Sequence, residues 1–335
     1  MIFSNPVLLL LLLTAIGLAS AKDLPTRDVL NLPRGTRLDD IVVRPNGDLL
    51  VVQHSPKTAH PSSDVVSIPD VDHILGITEL PHESASNKEM YAVVASKEYY
   101  RSESGVGAYK FSVWTVTITP SRSKRKPRVK VAKVSDMAPD SYGPSAITSI
   151  PGVSDAVLIA DGFLGSVGRL DLTTGVPDPR SFVALEMMPD PGKVGVNYIR
   201  IHGGYLYFTA KERRGLYRIR ASPEGTPVRG HHQTARLDNS DIRGPGPRGF
   251  AFDANGHVYF AAEKAVGFVY VDKKKGVIVV DSSKRRSLAG ATALAFGRGK
   301  NDNETLYVTT LHGKVVAVDT SSQHVQTRTG PRNRT

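Results

Sequence analysis

The sequence predicts an all-β fold, a six-bladed β-propeller of four-stranded antiparallel blades around a central channel, and three observations predict it. A strand-rich unit recurs about every 45–50 residues, the period of propeller blades. Inside the unit a short apolar strand, a polar turn and an alternating strand follow one another: residues 41–52 read IVVRPNGDLLVV and residues 250–261 read FAFDANGHVYFA. Helical signal is nearly absent, because 22 prolines and 30 glycines punctuate the chain at a spacing that long amphipathic helices do not tolerate. An array of β-sandwiches, the competing all-β architecture, would not produce so regular a period.

The first 21 residues stand outside that fold. Val7 to Leu13 is an uninterrupted apolar run, and Ala19-Ser20-Ala21 offers small residues for cleavage before Lys22. This is the pattern of a secretory signal peptide, since the apolar core is too short to span a bilayer. The expected location is the secretory pathway, ending in the medium or a vesicle lumen. No later stretch approaches the roughly 18 apolar residues of a membrane helix, so no span is expected in the mature chain. Residues 22–319 form the propeller, with Leu24 to Val29 as the outer strand that closes the ring.

Blades start near Leu38, Ile74, Ser145, Asn197, Arg248 and Thr292. In the first and fifth, Asn46-Gly47 and Asn255-Gly256 suit a tight hairpin in which both central residues take positive φ. The second blade has strands at Ile74–Leu80, Met90–Ala95 and Phe111–Ile118, with an inserted loop around Lys97 to Gly107. Third strands of the later blades lie at Gly168–Leu172, Gly215–Ile219, Phe268–Val271 and Val315–Val318. Residues 320–335 read as a polar, disordered tail.

The net charge of +11 lies wholly after residue 21 and clusters at Arg122–Arg128, Lys273–Lys275 and Lys284–Arg286. Each cluster falls where a loop is expected, and no aromatics are interleaved as a nucleic-acid surface would require, so no nucleic-acid partner is expected. There is no cysteine, which removes thiol nucleophiles and Cys-based zinc sites. Asn303-Glu304-Thr305 and Asn333-Arg334-Thr335 are sequons for glycosylation at Asn303 and Asn333. No serine-nucleophile elbow, His-Glu-x-x-His helix or phosphate loop is present.

Several blade motifs carry a family resemblance. Tyr142-Gly143-Pro144-Ser145-Ala146-Ile147, Leu158-Ile159-Ala160-Asp161, the run Gly168 to Gly175 and Gly204-Tyr205-Leu206-Tyr207-Phe208-Thr209 resemble the six-bladed superfamily of senescence marker protein and gluconolactonase, across essentially the whole mature chain. The resemblance implies the fold more than the reaction, since propellers host many chemistries. Lactonases of the family hold one divalent cation in the channel through oxygen ligands. Here the ligand Glu of the first blade falls on Asp39, the substrate-contacting Asn of the third on Ser145, and the ligand Asn of the fourth is kept as Asn197. The ligand Asp of the fifth falls on Arg248, whose fixed positive charge opposes a dication. The implied pocket is cationic, with no metal and no cofactor.

A member of this superfamily with a secretion signal and a degraded metal site resembles the fungal biosynthetic hetero-Diels–Alderases, which join tropolone-type quinone methides to humulene-type sesquiterpenes. The resemblance implies a small apolar substrate held in one orientation and a donor aimed at the heterodiene oxygen. Arg248 is the first candidate donor, with Tyr142 and Asn197 behind it. If the quinone methide is also made here by dehydration, His54 or Asp161 is the candidate acid. Asp39, Ser145, Phe163, Tyr198 and Thr292 are candidate substrate contacts, and Trp114 is either pocket wall or blade core. Structural alternatives stand beside these: Arg248 pairing with Asp39, Asp161 as a turn residue before Gly162, His54 as a loop histidine. A calcium-dependent lactonase or esterase and a non-catalytic binding propeller are the alternative functions. The sequence specifies no oligomeric state.

Overall fold

A computed structural model describes residues 23–55, 66–81, 87–101, 107–121, 126–137, 143–210, 213–230, 234–236, 246–272, 275–281 and 286–323. The signal-peptide segment, Tyr142, Asn333 and most residues of the three basic clusters lie outside them. The described chain is a ring of antiparallel sheets. The first strand, β1 (Thr26–Asn31), precedes a two-stranded sheet of β2 (Arg37–Val43) and β3 (Leu49–Ser55). The second sheet is β4 (His73–Glu79), β5 (Glu89–Arg101), β6 (Gly107–Thr119) and β7 (Arg128–Asp136). The third is β8 (Pro144–Ile150), β9 (Val153–Asp161), β10 (Ser166–Asp171) and β11 (Pro177–Val183). The fourth is β12 (Val196–His202), β13 (Tyr205–Ala210), β14 (Gly215–Arg220) and β15 (Ala235–Arg236); the fifth is β16 (Phe250–Phe252), β17 (Val258–Ala262), β18 (Ala265–Tyr270) and β19 (Lys275–Asp281). The last holds β20 (Ala291–Phe296), β21 (Thr305–Thr310) and β22 (Lys314–Asp319), and β1 completes it as outer strand, pairing Thr26 with Val318. Joining the two ends of the chain in one sheet closes the ring without leaving an open edge between first and last blades.

Five sheets therefore have the expected four strands, and the first has two among the described residues. Its outer side is sealed by irregular chain: Ile68 is buried and Val66 and Val71 pack beside it, against Val52, Ile77 and Tyr91. The core elsewhere is the apolar filling between blades, dominated by fully buried rings such as Phe182, Phe208, Phe250, Phe260 and Tyr259.

Three expectations change. At Asn46-Gly47 and Asn255-Gly256 only the glycines have positive φ, +90° and +77°. Arg44 and Asp253 each accept a bond from the glycine N–H and donate one to the residue after it. This is a type I turn with a glycine bulge, for which Pro45 pre-sets the first φ. The turn with two positive-φ residues falls instead at Gly203-Gly204, φ +55° and +76°. Second, Lys97 to Gly107 is not simply a loop: β5 and β6 stay paired from Ser96↔Phe111 out to Arg101↔Gly107. Third, the tail begins packed: Thr320 and Gln323 are buried, and Thr320 bonds the Glu304 carbonyl through both its N–H and its hydroxyl.

Candidate active site

The six inner strands β2, β4, β8, β12, β16 and β20 line the channel, and their first residues form one mouth. Five of them enter with a β-bulge, seen as register breaks at Leu38/Asp40, Ile74/Gly76, Pro144/Ala146, Val196/Tyr198 and Ala291/Leu294. A bulge leaves its extra residue outside the ladder and re-aims the side chain. Here the extra residues are Asp39, Leu75, Ser145, Asn197 and Thr292 with Ala293, and all but Ala293 line one cavity of about 390 Å³. The fifth blade reaches the same ring differently. Arg248 and Gly249 lie just before the short β16, tied by Arg248 N–H to the Ala261 carbonyl and Gly249 N–H to the Thr292 carbonyl, both at 2.8 Å. A Cβ on Gly249 would stand 2.7 Å from Ala293 Cα and from the Thr292 carbonyl oxygen, so glycine is what lets blades five and six close around Arg248.

The polar groups of this mouth are incompletely paired. Arg248 Nε is buried and has no hydrogen-bond partner, and no ion pair to Arg248 exists among the described residues. The expected alternative of an Arg248–Asp39 pair is therefore not formed. Asp39 instead approaches His54, with Oδ2 2.9 Å from Nδ1. The imidazole N–H direction misses that oxygen, so the contact is an electrostatic pair without an aligned hydrogen bond. The ring of His54 stacks on His73, centroids 4.5 Å apart and planes 14° from parallel. His73 Nδ1–H donates to the His54 carbonyl at 3.1 Å, which fixes its tautomer. Thr292 spends its hydroxyl on the Leu38 carbonyl at 2.8 Å, joining last blade to first. Ser145 makes only long contacts, 3.4 and 3.5 Å, to the Val196 and Ala160 carbonyls.

The floor is a buried plug. Asp40, 1% exposed, accepts from Tyr198 Oη–H at 2.7 Å, Ile77 N–H at 3.0 Å and Ile41 N–H at 2.9 Å. Arg200 hydrogen-bonds the Tyr198 hydroxyl and lies 4.4 Å above its ring. Burial pushes the Asp40 carboxyl above its usual value, against the pull of Arg200 and the three donors. Burial likewise raises the Tyr198 phenol well above its usual value. Below the plug the last residues of the inner strands open a second cavity of about 590 Å³. Its two arginines are already engaged, Arg298 by Glu79 and the Val43 carbonyl and Arg200 by the plug and two carbonyls.

Of the residues expected from sequence, Arg248, Asn197, His54, Asp39, Ser145, Phe163, Tyr198 and Thr292 all line the upper cavity. Asp161 does not. Its carboxylate caps its own turn, accepting from Phe163 and Leu164 N–H at 3.1 and 2.9 Å, the geometry of an Asp-Gly turn. Trp114 is blade core, packed with Tyr91 and Val116, its Nε1–H donating to Ser112. Tyr142 lies outside the described residues. Arg37, Leu75, His73, Tyr109 and Phe111 line the cavity and were missed; the blade start near Ile74 was the available signal for His73 and Leu75.

The donor set does not suit the divalent cation of the lactonases that the sequence resembles. Among the described residues no group of three or more His, Asp or Glu side chains is placed to hold a metal ion, and Arg248 and Arg37 share the cavity with the single carboxylate Asp39. Also among the described residues, no helix is long and apolar enough to cross a membrane.

Fold and cavity together define a β-propeller with a pocket at one mouth of its channel. Among solved structures it is similar to a luciferin-regenerating enzyme (TM-score 0.54, 12% identity, 88% of this chain and 95% of that one). It is also similar to the PQQ-bound aldose sugar dehydrogenase of Streptomyces coelicolor (TM-score 0.50, 13% identity, 90% and 99%). At such identities the likeness is one of fold. No family model matches the chain. Sequence relatives are more particular: the chain is 26% identical to a Sarocladium schorii protein provisionally named hetero-Diels-Alderase asR5, over 91% of this chain and 86% of that protein. It is also 26% identical to a Phoma protein with the same provisional name, over 85% and 86%. The chain is thus a β-propeller similar to two proteins provisionally named hetero-Diels–Alderases, and these relatives support a pericyclase role.

Proposed function

We propose that the upper cavity is a metal-independent hetero-Diels–Alderase site that joins a tropolone-type quinone methide to a humulene-type sesquiterpene. The observation that carries this reading is Arg248: a guanidinium with a buried, unpartnered Nε–H at the wall of a cavity of about 390 Å³, within the size range of small-molecule sites. An unpaired buried donor is costly unless a ligand acceptor completes it. In the cycloaddition the exocyclic carbon and the carbonyl oxygen of the quinone methide bond to the two carbons of one alkene. Two σ bonds form, nothing leaves and nothing is oxidised. Negative charge gathers on the heterodiene oxygen as they form, and Arg248 donates to it there. Asn197, freed by its bulge and without a side-chain hydrogen bond among the described residues, adds a second donor. Holding both partners in one orientation supplies rate through entropy lost on binding.

The pair Asp39–His54 gives the same cavity a proton source. Where the quinone methide is formed in place from a hydroxymethyl precursor, imidazolium His54 protonates the departing hydroxyl, water leaves, and the ring hydroxyl proton returns to the imidazole. Asp39 stabilises the charged imidazole. Secretory-pathway entry belongs to the proposal too, supported by the exposure of Asn303 in the turn before β21; a mass loss on glycosidase treatment of the secreted protein would test it.

The test is adduct formation from a quinone-methide precursor and humulene. Wild-type protein should accelerate it over the spontaneous reaction, and Arg248→Met should lower kcat by roughly 100-fold, the low end for losing one oxyanion donor. No acceleration by the wild type, or full activity in Arg248→Met, overturns the assignment.

A further inference from the structure

The upper cavity is divided by polarity. Blades four, five, six and one contribute Asn197, Arg248, Thr292 and Asp39, whereas blade two contributes Leu75, Tyr109 and Phe111 beside His73 and Ser96. The apolar side exists because β5 and β6 are 13 residues each and run on as a paired hairpin past the other inner-strand starts. Tyr109 and Phe111, two apart on β6, stand on the same face of that hairpin, with ring centroids 6.3 Å apart. His73 continues the row, 6.2 Å from Tyr109, and stacks on His54 below.

The wall is held from both sides. Asp72 N–H donates to the Ser96 carbonyl and Glu98 N–H to the Asp72 carboxylate, both at 2.8 Å. Met137 N–H donates to the Phe111 carbonyl at 2.9 Å. Tyr109 is nevertheless 40% exposed, and Phe163 faces the mouth from blade three at 57%. Large rings rarely stay uncovered around a cavity unless something apolar covers them. A rigid aromatic row facing a polar one that carries Arg248 sorts two reactants of unlike polarity without induced fit.

We infer that Tyr109 and Phe111 form the subsite for the hydrocarbon partner, with Leu75 beneath and Phe163 at the mouth, while the Arg248 side receives the oxygenated heterodiene. The assignment rests on the proposed cycloaddition and specifies which wall selects which substrate. The extended hairpin of blade two is the specificity-determining element: it fixes the face of the alkene that meets the heterodiene.

Binding of each reactant class is measured separately, with humulene and tropolone as single probes, by saturation-transfer NMR on the full chain. Phe111→Ala and Tyr109→Ala should each weaken humulene at least about tenfold, the scale of removing one aromatic wall, and leave tropolone within about twofold. Tyr109→Phe should restore humulene binding, which a folding defect would not. Arg248→Met should do the reverse, weakening tropolone and sparing humulene. In turnover the wall variants should raise KM for the alkene and not for the heterodiene. Equal losses of both probes, or humulene binding untouched in the wall variants, overturn the subsite while leaving the proposed reaction standing. A wild-type protein that binds neither probe overturns the reaction and the subsite with it.

Discussion

The two mouths of the channel are built from opposite ends of the same six strands and treat their polar groups in opposite ways. At the lower mouth, and in the first two blades beside it, the charges are paired. Arg44 Nε and Nη2 grip both oxygens of Glu89 at 2.9 and 3.0 Å, Tyr91 donates to the same carboxylate at 2.8 Å, and Arg298 is held by Glu79. At the upper mouth bulges break the ladder, Arg248 keeps an unsatisfied Nε–H, and Asp39 and His54 approach without aligning. Buried groups without a partner also occur outside this cavity, at Arg218 Nε and His257 Nδ1, so what sets Arg248 apart is that its free Nε–H borders a cavity large enough for a ligand. The lower mouth stabilises the ring; the upper mouth is left open for a ligand.

That contrast is broken most sharply at Glu89. Its removal as Glu89→Ala leaves Arg44, about nine-tenths buried, with only the solvent-exposed Asp48 carboxylate as partner. Losing one partner of a buried pair costs about 3–5 kcal/mol, the low end applying here because Asp48 remains. Urea unfolding should record a loss of that size, with kcat and KM unchanged in the protein that remains folded. A loss of activity without a loss of stability would mean that the lower mouth belongs to the site.

Tyr198 stands between the two regimes, its ring at the cavity floor and its hydroxyl on Asp40. Tyr198→Phe deletes a hydrogen bond to a carboxyl group, and unfolding should show a loss of about 1.5–3 kcal/mol. A neutral result would place that plug among the dispensable contacts.

The plug also sets a pH dependence. Folded Asp40 holds its proton more tightly than the unfolded chain, whose value is the ordinary 3.8. Its contribution to stability is thus fully present below that value and is lost as the pH rises through the raised folded value. Urea midpoints of wild type and Asp40→Asn, followed from about pH 3 to about pH 7, should move in favour of the variant with rising pH. A shift in the other direction would mean that Arg200 and the three donors outweigh burial.

How much of this was legible in the sequence follows from the same contrast. Blade starts were readable because each inner strand follows a polar loop, and the residue at that junction is the one the bulge turns inward. Asp39, Ser145, Asn197 and Arg248 were placed there through the motif resemblance and Thr292 through its blade start; all but Arg248 sit at such a bulge. Asp161 looked alike as a polar residue at a strand end, but its carboxylate closes a turn, a competition that composition does not reveal. The blade-two wall was missed because Lys97 to Gly107 reads as an inserted loop, and nothing local says that its flanks stay in register. The Asn-Gly turns were placed correctly but assigned the wrong geometry, since the motif fits several turn types and strand twist and Pro45 select among them.

The smallest expected effect is the most discriminating. If Arg248 were a structural residue, like Arg44, its replacement would unfold the protein; if its Nε–H is held open for a substrate oxygen, the fold gains nothing from it. Its backbone supplies the fixed contacts, to Ala261 and from the Thr209 hydroxyl, and any side chain keeps those. Methionine has similar length and no donor to leave unsatisfied, so Arg248→Met should change stability by no more than about 1 kcal/mol, in either direction. A loss of several kcal/mol in thermal unfolding would place Arg248 with the paired charges of the lower mouth and take the donor away from the site. A neutral variant with impaired catalysis would locate the cost of that unpaired group in function.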